Sequence, residues 1–270
     1  MKRTRCAFLG TGNMGGALIR GAVRSGAVSA KDLSAFDVQK RALSRLAGDT
    51  GIRPAASAVR AVRGAGYVFL CVKPGQVAQV LGDISGTLER GQCLVSIAAG
   101  VPTDRIEKHF PGRRMAVVRV MPNSPALVGQ GAAAVCGGRF ASPAQVRFVK
   151  DFFGSVGTAV VLAERHFDAV TAVSGSGPAY VFYLAEALGR AAEVLGLPAS
   201  EAADLVRQTI FGAGTMLARG GLPAELRRQV TSPGGTTEAA VRQLAKSGWT
   251  EDLVRAVRKA RDRSREISRG

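Results

Sequence analysis

The chain has 270 residues, 46% of them hydrophobic, with 37 basic against 20 acidic side chains and a net charge of +17. That length and apolar content suffice for one large domain or two ordinary ones with a real core. No apolar run is long enough to span a membrane, and the first residues run straight into a strand and a glycine turn, so neither a signal peptide nor an anchor is expected.

The charge alone fits nucleic acid, anionic substrates or an arginine-rich genome. The arginines spread through helices and loops without a nucleic-acid motif, and aromatics are only 6%, so nucleic acid is not the expected partner. Cys6, Cys71, Cys93 and Cys136 lack metal or redox spacing. They read as buried thiols in a reducing cytoplasm, and no metal site is expected.

In chain order, residues 5–9 form a short apolar run followed by Gly10-Thr11-Gly12-Asn13-Met14-Gly15 and a helical pattern over 16–24. This is strand, glycine turn, helix. The first glycine makes the turn, the second lets a pyrophosphate approach the backbone, and the third lets helix and strand pack closely. Residues 33–37 read as a second strand ending in Asp37, 22 residues after Gly15, where a dinucleotide ribose wants its partner.

The alternation continues with a helix near 39–47, a brief strand at 52–55 and a helix near 57–62. The runs 67–72, 93–98 and 115–120 have the continuous apolar character of parallel strands covered on both faces. They end in Lys73-Pro74-Gly75, Ala99-Gly100 and Met121-Pro122-Asn123. Ligands of doubly wound sheets sit at such carboxyl ends, so these turns together make the candidate site, although any one of them alone reads as an ordinary turn. Strands at 132–136 and 158–162, with a helix at 143–153 between them, extend the sheet. The expected domains are 1–163, a Rossmann-type α/β dinucleotide-binding domain, and 164–270, an all-helical one.

Helices are expected near 165–173, 178–195, 200–217, 223–230, 237–246 and 250–267. Ser174-Gly175-Ser176-Gly177-Pro178-Ala179-Tyr180 supports two readings of equal weight. One is a glycine-rich linker. The other is a helix start at Pro178, capped by Gly177 or Ser176, whose bare N–H groups meet a ligand anion. The helix over 178–195 is apolar on nearly every side and requires a partner chain to cover it. Val230-Thr231-Ser232-Pro233-Gly234-Gly235-Thr236-Thr237 is either a tight turn with Thr236 or Thr237 capping the next helix, or a second small-residue loop offering hydroxyls to a ligand. The last helix carries a basic face, Arg255 to Arg265, that reads as solvated or as a surface for anionic partners.

The blocks Gly10–Gly15, Val72-Lys73-Pro74, Ser96 to Gly100, Arg119 to Asn123, 174–180, Glu186-Ala187-Leu188 and 230–237 together resemble the pyrroline-5-carboxylate reductase family over nearly the whole chain. The SGSGPAY and VTSPGGTT blocks, in this order and separation, carry most of that specificity. The resemblance implies a Rossmann domain followed by a helical dimerisation domain, and reduction of 1-pyrroline-5-carboxylate to L-proline by NADPH or NADH in the cytoplasm. It implies a homo-oligomer, at least a dimer, with a ring of five dimers as the larger form.

It also implies site residues. Gly10, Thr11, Gly12, Asn13, Met14, Gly15, Asp37, Val72, Lys73, Pro74, Ala99, Met121 and Asn123 would hold the cofactor. Ser174, Gly175, Ser176, Gly177, Pro178 and Ala179 would take the substrate carboxylate, with Val230, Ser232 and Thr237 close to the ring. Thr237 would hydrogen-bond the ring nitrogen, as the catalytic group. Two departures stand out: Ala58, beside Ser57, where the family often has asparagine, and Leu222 where it commonly has a polar residue or histidine.

A cyclic imine can arrive protonated, so no strong general acid is required. That suits a chain whose two histidines, His109 and His166, fall outside every motif and read as structural. The rival readings are a hydroxyacid or F420-type dehydrogenase and a non-catalytic dinucleotide sensor. The hydroxyacid type expects a lysine acid/base on a helix of the second domain, and neither Lys150 nor Lys246 fits that position well. An intact Thr237 loop argues against the second.

Overall fold

The computed structural model describes residues 4–269. In its first part, strands and helices alternate: β1 (Cys6–Leu9), α1 (Asn13–Arg24), β2 (Leu33–Phe36), α2 (Lys40–Thr50), β3 (Arg53–Pro54), α3 (Ala58–Val62), β4 (Tyr67–Leu70), α4 (Val77–Ile84), β5 (Cys93–Ser96), α5 (Thr103–Glu107), β6 (Ala116–Met121), β7 (Gly131–Gly137), α6 (Pro143–Gly154) and β8 (Gly157–Val161). Helices α4 and α5 were not expected from the sequence. At eight and five residues both are short for a periodic signal, although α4 does set Val77, Leu81 and Ile84 on one buried face.

The eight strands make one sheet in the order β3-β2-β1-β4-β5-β6-β7-β8. Every pairing is parallel except β6 with β7, where Arg119 lies opposite Cys136. The centre is the doubly wound order of a dinucleotide fold. Strands β1 and β5 are buried along their whole length, which explains their uninterrupted apolar sequences. One side of the sheet is filled by an aromatic cluster: Phe8 stacks on Phe69 at 4.4 Å between ring centroids, and Phe152 and Phe153 of α6 close over them. The other side buries Leu81 and Ile84 of α4 with Val62 of α3.

After β8 the chain is helical without a clean break. A short 3-10 turn (Glu164–His166) leads into α7 (Phe167–Val170), then a π-helical turn (Thr171–Gly175), then α8 (Gly177–Val194). The sequence led us to expect two separate helices joined by residues 174–177, read either as a glycine-rich linker or as a capped start at Pro178. Instead, the N–H of Ser176 donates to Thr171 O at 2.8 Å, so the chain enters α8 already helical. The remaining helices are α9 (Ala199–Ala218), α10 (Pro223–Gln229), α11 (Thr236–Lys246) and α12 (Trp249–Arg269).

The Cα packing separates two compact units. One comprises the residues up to Ser176 together with those from Ala260 onward, and the other is Gly177–Lys259. Within the second unit, α8 packs on α9. Only Ala192 of α8 is buried, while Phe182, Tyr183 and Leu195 are 63%, 74% and 81% exposed in the single chain. An apolar surface of this kind needs covering.

In the first unit the end of α12 is tied down. Ser264 is buried and donates to Asp168 at 2.8 Å, Arg105 donates to the carbonyl of Ser268 at 2.9 Å, and Ile267 lies against Gly100. Its basic face is largely paired along the helix, Arg255 with Asp252 and Arg263 with Glu266, while Arg265 approaches Asp168.

Candidate functional site

The glycine turn is shaped by close approach. Gly10 has φ +98°, and a Cβ there would strike the carbonyl oxygen of Cys71; at Gly15 it would strike the carbonyl of Gly10. Gly12 is different, because a Cβ there meets nothing within 4 Å. Fold geometry therefore requires glycine at 10 and 15, and leaves the space over Gly12 open to a ligand. Gly12 is the N-cap of α1, with no side-chain cap and no acid in the first turn. Asn13, Met14 and Gly15 stand in that turn, so an uncapped, positively polarised helix end faces the open space.

Asp37 follows β2. Its Oδ2 accepts from the N–H of Thr11 at 2.6 Å and from the Thr11 hydroxyl at 3.0 Å, and its Oδ1 accepts from the N–H of Gln39 at 2.8 Å. A cavity of about 380 Å³ opens beside it, lined by Gly10, Gly12, Asp37, Ala58, Val72, Lys73, Gln79 and Asp83 among others. It contains two carboxylates and one ammonium. Lys40 and Arg41, which follow Asp37 in sequence, are exposed and do not line it. The uncapped helix end, the open space at Gly12 and this acid-bearing cavity suit a dinucleotide: pyrophosphate at the first, adenosine ribose at the last.

The other strand ends cluster at the same edge of the sheet. Val72 is half-buried, Lys73 and Pro74 are exposed, and Ala99 is half-buried before the left-handed Gly100 (φ +74°). Met121 and Asn123 face the π-helical turn: Met121 Cε occupies the place a Gly175 Cβ would need, 2.7 Å away. Asn123 is buried, with both ends of its carboxamide used. Its Oδ1 accepts from the N–H of Ala132 at 2.8 Å, and its Nδ2 donates to Ser174 O at 3.0 Å. Each end of its side chain thus makes one hydrogen bond within the protein. Ser174 also donates through its hydroxyl to Val170 O at 3.1 Å. With the N–H of Ser176 taken, Gly177 and Ala179 are the amides at the start of α8, since Pro178 has none.

In the second unit, the segment 230–237 is a turn followed by α11. Gly235 is the N-cap and makes no side-chain cap bond, so neither Thr236 nor Thr237 caps the helix as one reading of the sequence had it. Glu238 reaches back to accept from the N–H of Gly234 at 2.7 Å, and Ser232 O accepts from the N–H of Gly235 at 3.0 Å. Thr237 is half-buried, and among the described residues its hydroxyl has no hydrogen-bond partner. Val230 and Ser232 are exposed.

Sequence reasoning missed one cluster. Arg119, buried in β6, pairs with Glu164 at 3.0 Å and lies over the Phe167 ring at 4.8 Å, while Glu164 also accepts from the N–H (2.9 Å) and hydroxyl (2.6 Å) of Thr103. The signal was present: an arginine inside an apolar strand run must be paired where it is buried. The four cysteines are free, and burial pushes the Cys6, Cys93 and Cys136 thiols up to about 12 and that of Cys71 up as well. Among the described residues no cluster of three or more His, Cys, Asp or Glu could hold a metal.

Two family models match: pyrroline-5-carboxylate reductase dimerisation over residues 164–267, and NADP oxidoreductase, coenzyme F420-dependent, over residues 5–100. The second covers only residues 5–100, about a third of the chain around the glycine turn, a pattern many dehydrogenases share. Full-length relatives decide between them. The chain is 41% identical to a pyrroline-5-carboxylate reductase of Pseudomonas aeruginosa, covering 99% of this chain and 98% of the relative. It is 36% identical to that of Methanosarcina acetivorans over the whole of both. The structure of a pyrroline-5-carboxylate reductase from Coxiella burnetii matches with TM-score 0.94 and 31% identity over 99% of each chain. The Plasmodium falciparum enzyme, solved with NADP bound, matches with TM-score 0.85 and 29% identity over 99% of each. With relatives this similar from end to end, the chain belongs to the pyrroline-5-carboxylate reductase family.

Proposed function

We propose that the residues described above divide the work of the family's reaction, the reduction of 1-pyrroline-5-carboxylate to L-proline with NAD(P)H, as follows. The backbone of 12–15, at the uncapped start of α1, holds the pyrophosphate. Asp37 takes the ribose, and the turns at Val72 to Pro74, Ala99 and Met121 shape the nicotinamide end. The nicotinamide, when bound, supplies the hydride that the imine carbon receives. Residues 174–179 receive the substrate carboxylate, with the amides of Gly177 and Ala179 as donors. Val230 and Ser232 stand beside the ring. The Thr237 hydroxyl accepts a hydrogen bond from the protonated ring nitrogen and holds the imine as its carbon is reduced. Catalysis is then positioning rather than acid–base chemistry, in keeping with a site that names no histidine.

The observation that carries this reading is the end-to-end match to named reductases, supported by the unpartnered Thr237 hydroxyl in the VTSPGGTT block. Oxidation of NADH or NADPH on addition of the imine, with formation of proline, is the test. No turnover with either cofactor would sink it.

The chain dimerises through its helical part, in line with the dimerisation model over 164–267 and the exposed apolar residues of α8. That match beginning at 164 also supports 163/164 as the junction between the two modules. We place the protein in the cytoplasm as a homo-oligomer, with a ring of five dimers as the larger form. Four free cysteines, three of them buried, support that location. Light scattering gives the assembly: a stable, active monomer would overturn it, and a mass of two chains would rule out the ring.

A further inference from the structure

Ser174 O lies at the end of a helical turn whose next pairing is blocked. In an α-helix the carbonyl of residue 174 would accept from the N–H of residue 178, four positions on. That residue is Pro178, which has no N–H. A half-buried carbonyl left this way gains from another donor. The donor it receives is Nδ2 of Asn123, at 3.0 Å, across 51 residues of sequence. The other end of the carboxamide is fixed by the Ala132 N–H at 2.8 Å. A backbone donor on one side and a carbonyl on the other leave the amide one orientation. Beside it, Met121 Cε fills the space over Gly175. Strand end β6 and the turn at 174–175 are therefore locked by one hydrogen bond and one van der Waals contact.

We infer that Asn123 is a positioning residue for the substrate rather than a cofactor contact: by capping the carbonyl that Pro178 leaves unpaired, it fixes the backbone that presents the amides of Gly177 and Ala179. The inference rests on the reading that residues 174–179 hold the imine carboxylate. Proline and asparagine then form one device. Pro178 frees the carbonyl, and Asn123 stops that freedom from becoming a wandering turn.

The experiment compares Asn123→Asp, Asn123→Ala, Pro178→Ala and the double variants with the wild type, measuring KM for the imine, kcat, and Kd for NADH by fluorescence. Asn123→Asp keeps the acceptor for the Ala132 N–H and removes only the donor to Ser174. Its KM should rise about tenfold or more, with the NADH Kd unchanged within about twofold. Relative to wild type, that KM should recover as pH falls through the range where the new carboxyl takes up a proton and can donate again. In the Pro178→Ala background the Asn123 substitutions should cost markedly less, because an N–H four residues on can then serve the same carbonyl. NADH binding weakened as much as imine binding would make Asn123 a cofactor group. An unchanged KM with only a lower Tm would make it purely structural, and equal losses in both backgrounds would remove the carbonyl as the link. Each of these overturns the inference. If Asn123→Asp fails to fold, Asn123→Ala carries the same comparison. A wild type that fails to reduce the imine would instead overturn the functional reading beneath it, a result the variants cannot imitate.

Discussion

Thr11 and Asp37 are joined twice: the N–H and the hydroxyl of Thr11 both donate to Oδ2 of Asp37, at 2.6 and 3.0 Å. The carboxylate proposed to take the ribose thus also braces the glycine turn proposed to hold the pyrophosphate. Its charge, with Asp83 in the same cavity and only Lys73 opposing them, disfavours a 2′-phosphate. Asp37→Ser should raise the NADPH-to-NADH ratio of kcat/KM by roughly five- to tenfold, as removal of about 1 kcal/mol of like-charge repulsion would. It should also lower kcat/KM for NADH itself, because Thr11 loses its anchor. Steady-state kinetics with each cofactor decide the matter, and an unchanged ratio would place Asp37 outside cofactor choice.

Gly12 and Gly15 separate ligand geometry from fold geometry. Gly12→Ala adds a methyl where the protein has open space, and should leave Tm within a degree or two while NADH affinity falls at least tenfold, or about 1.4 kcal/mol. Gly15→Ala drives a Cβ into the carbonyl of Gly10 and to 3.2 Å from Cys71 Cβ, and should destabilise the fold itself by about 1–3 kcal/mol. Thermal melts beside NADH titrations distinguish the two. Equal Tm losses in both variants would refute the division.

Thr237→Ala removes a hydroxyl with no partner among the described residues, so its cost should fall on turnover alone: about 1–3 kcal/mol in kcat/KM, with Tm unmoved. Thr237→Ser should restore most of the rate. A drop in Tm without loss of rate would mean the hydroxyl serves the fold after all.

The pair Arg119–Glu164 predicts a large stability effect. Glu164→Gln leaves the Arg119 guanidinium buried without its counter-charge and should cost about 3–5 kcal/mol in unfolding free energy, read by urea denaturation. Because the pair spans β6 and the turn before α7, a cost under 1 kcal/mol would show that the ion pair is incidental.

The buried thiols set an alkaline limit. Cys6 and Cys93 stand at about 12 in the folded protein against 9.0 as the ordinary value, with burial as the main cause. A raised pKa contributes stability that is complete below the unfolded value and lost as pH climbs towards the folded one. Stability should therefore decline from about pH 9 upward, and Cys6→Ala with Cys93→Ala should flatten that decline. Denaturation midpoints across pH 7–11 test this, and identical slopes for the variant and the wild type would count against it.

Much of the site could be read in advance because its parts are local. Gly10 to Gly15, Asp37 and the strand ends carry their signal within a few residues of sequence, and the parallel strands announce themselves by continuous apolar runs. What escaped depends on distant partners. The antiparallel entry of β7 is invisible in Gly131–Gly137, whose alanines suit either direction. The hydrogen bond from Asn123 to the Ser174 carbonyl joins stretches 51 residues apart, which no sequence window contains together. Arg119 could be located but not paired, since its partner Glu164 is 45 residues away and chosen by the fold.

The return of α12 to the first unit has a consequence for how the protein is made. Arg105 holds the Ser268 carbonyl, 163 residues further on, and Gly100 holds Ile267. A ribosome delivers the glycine turn and all eight strands long before it delivers these two residues. While the strands are being made, the Gly100 turn is therefore still without Ile267. The Gly100 turn gains that support only once residues 267 and 268 have been made, so this unit is completed after the helical segment 177–259 has been translated rather than with its own strands.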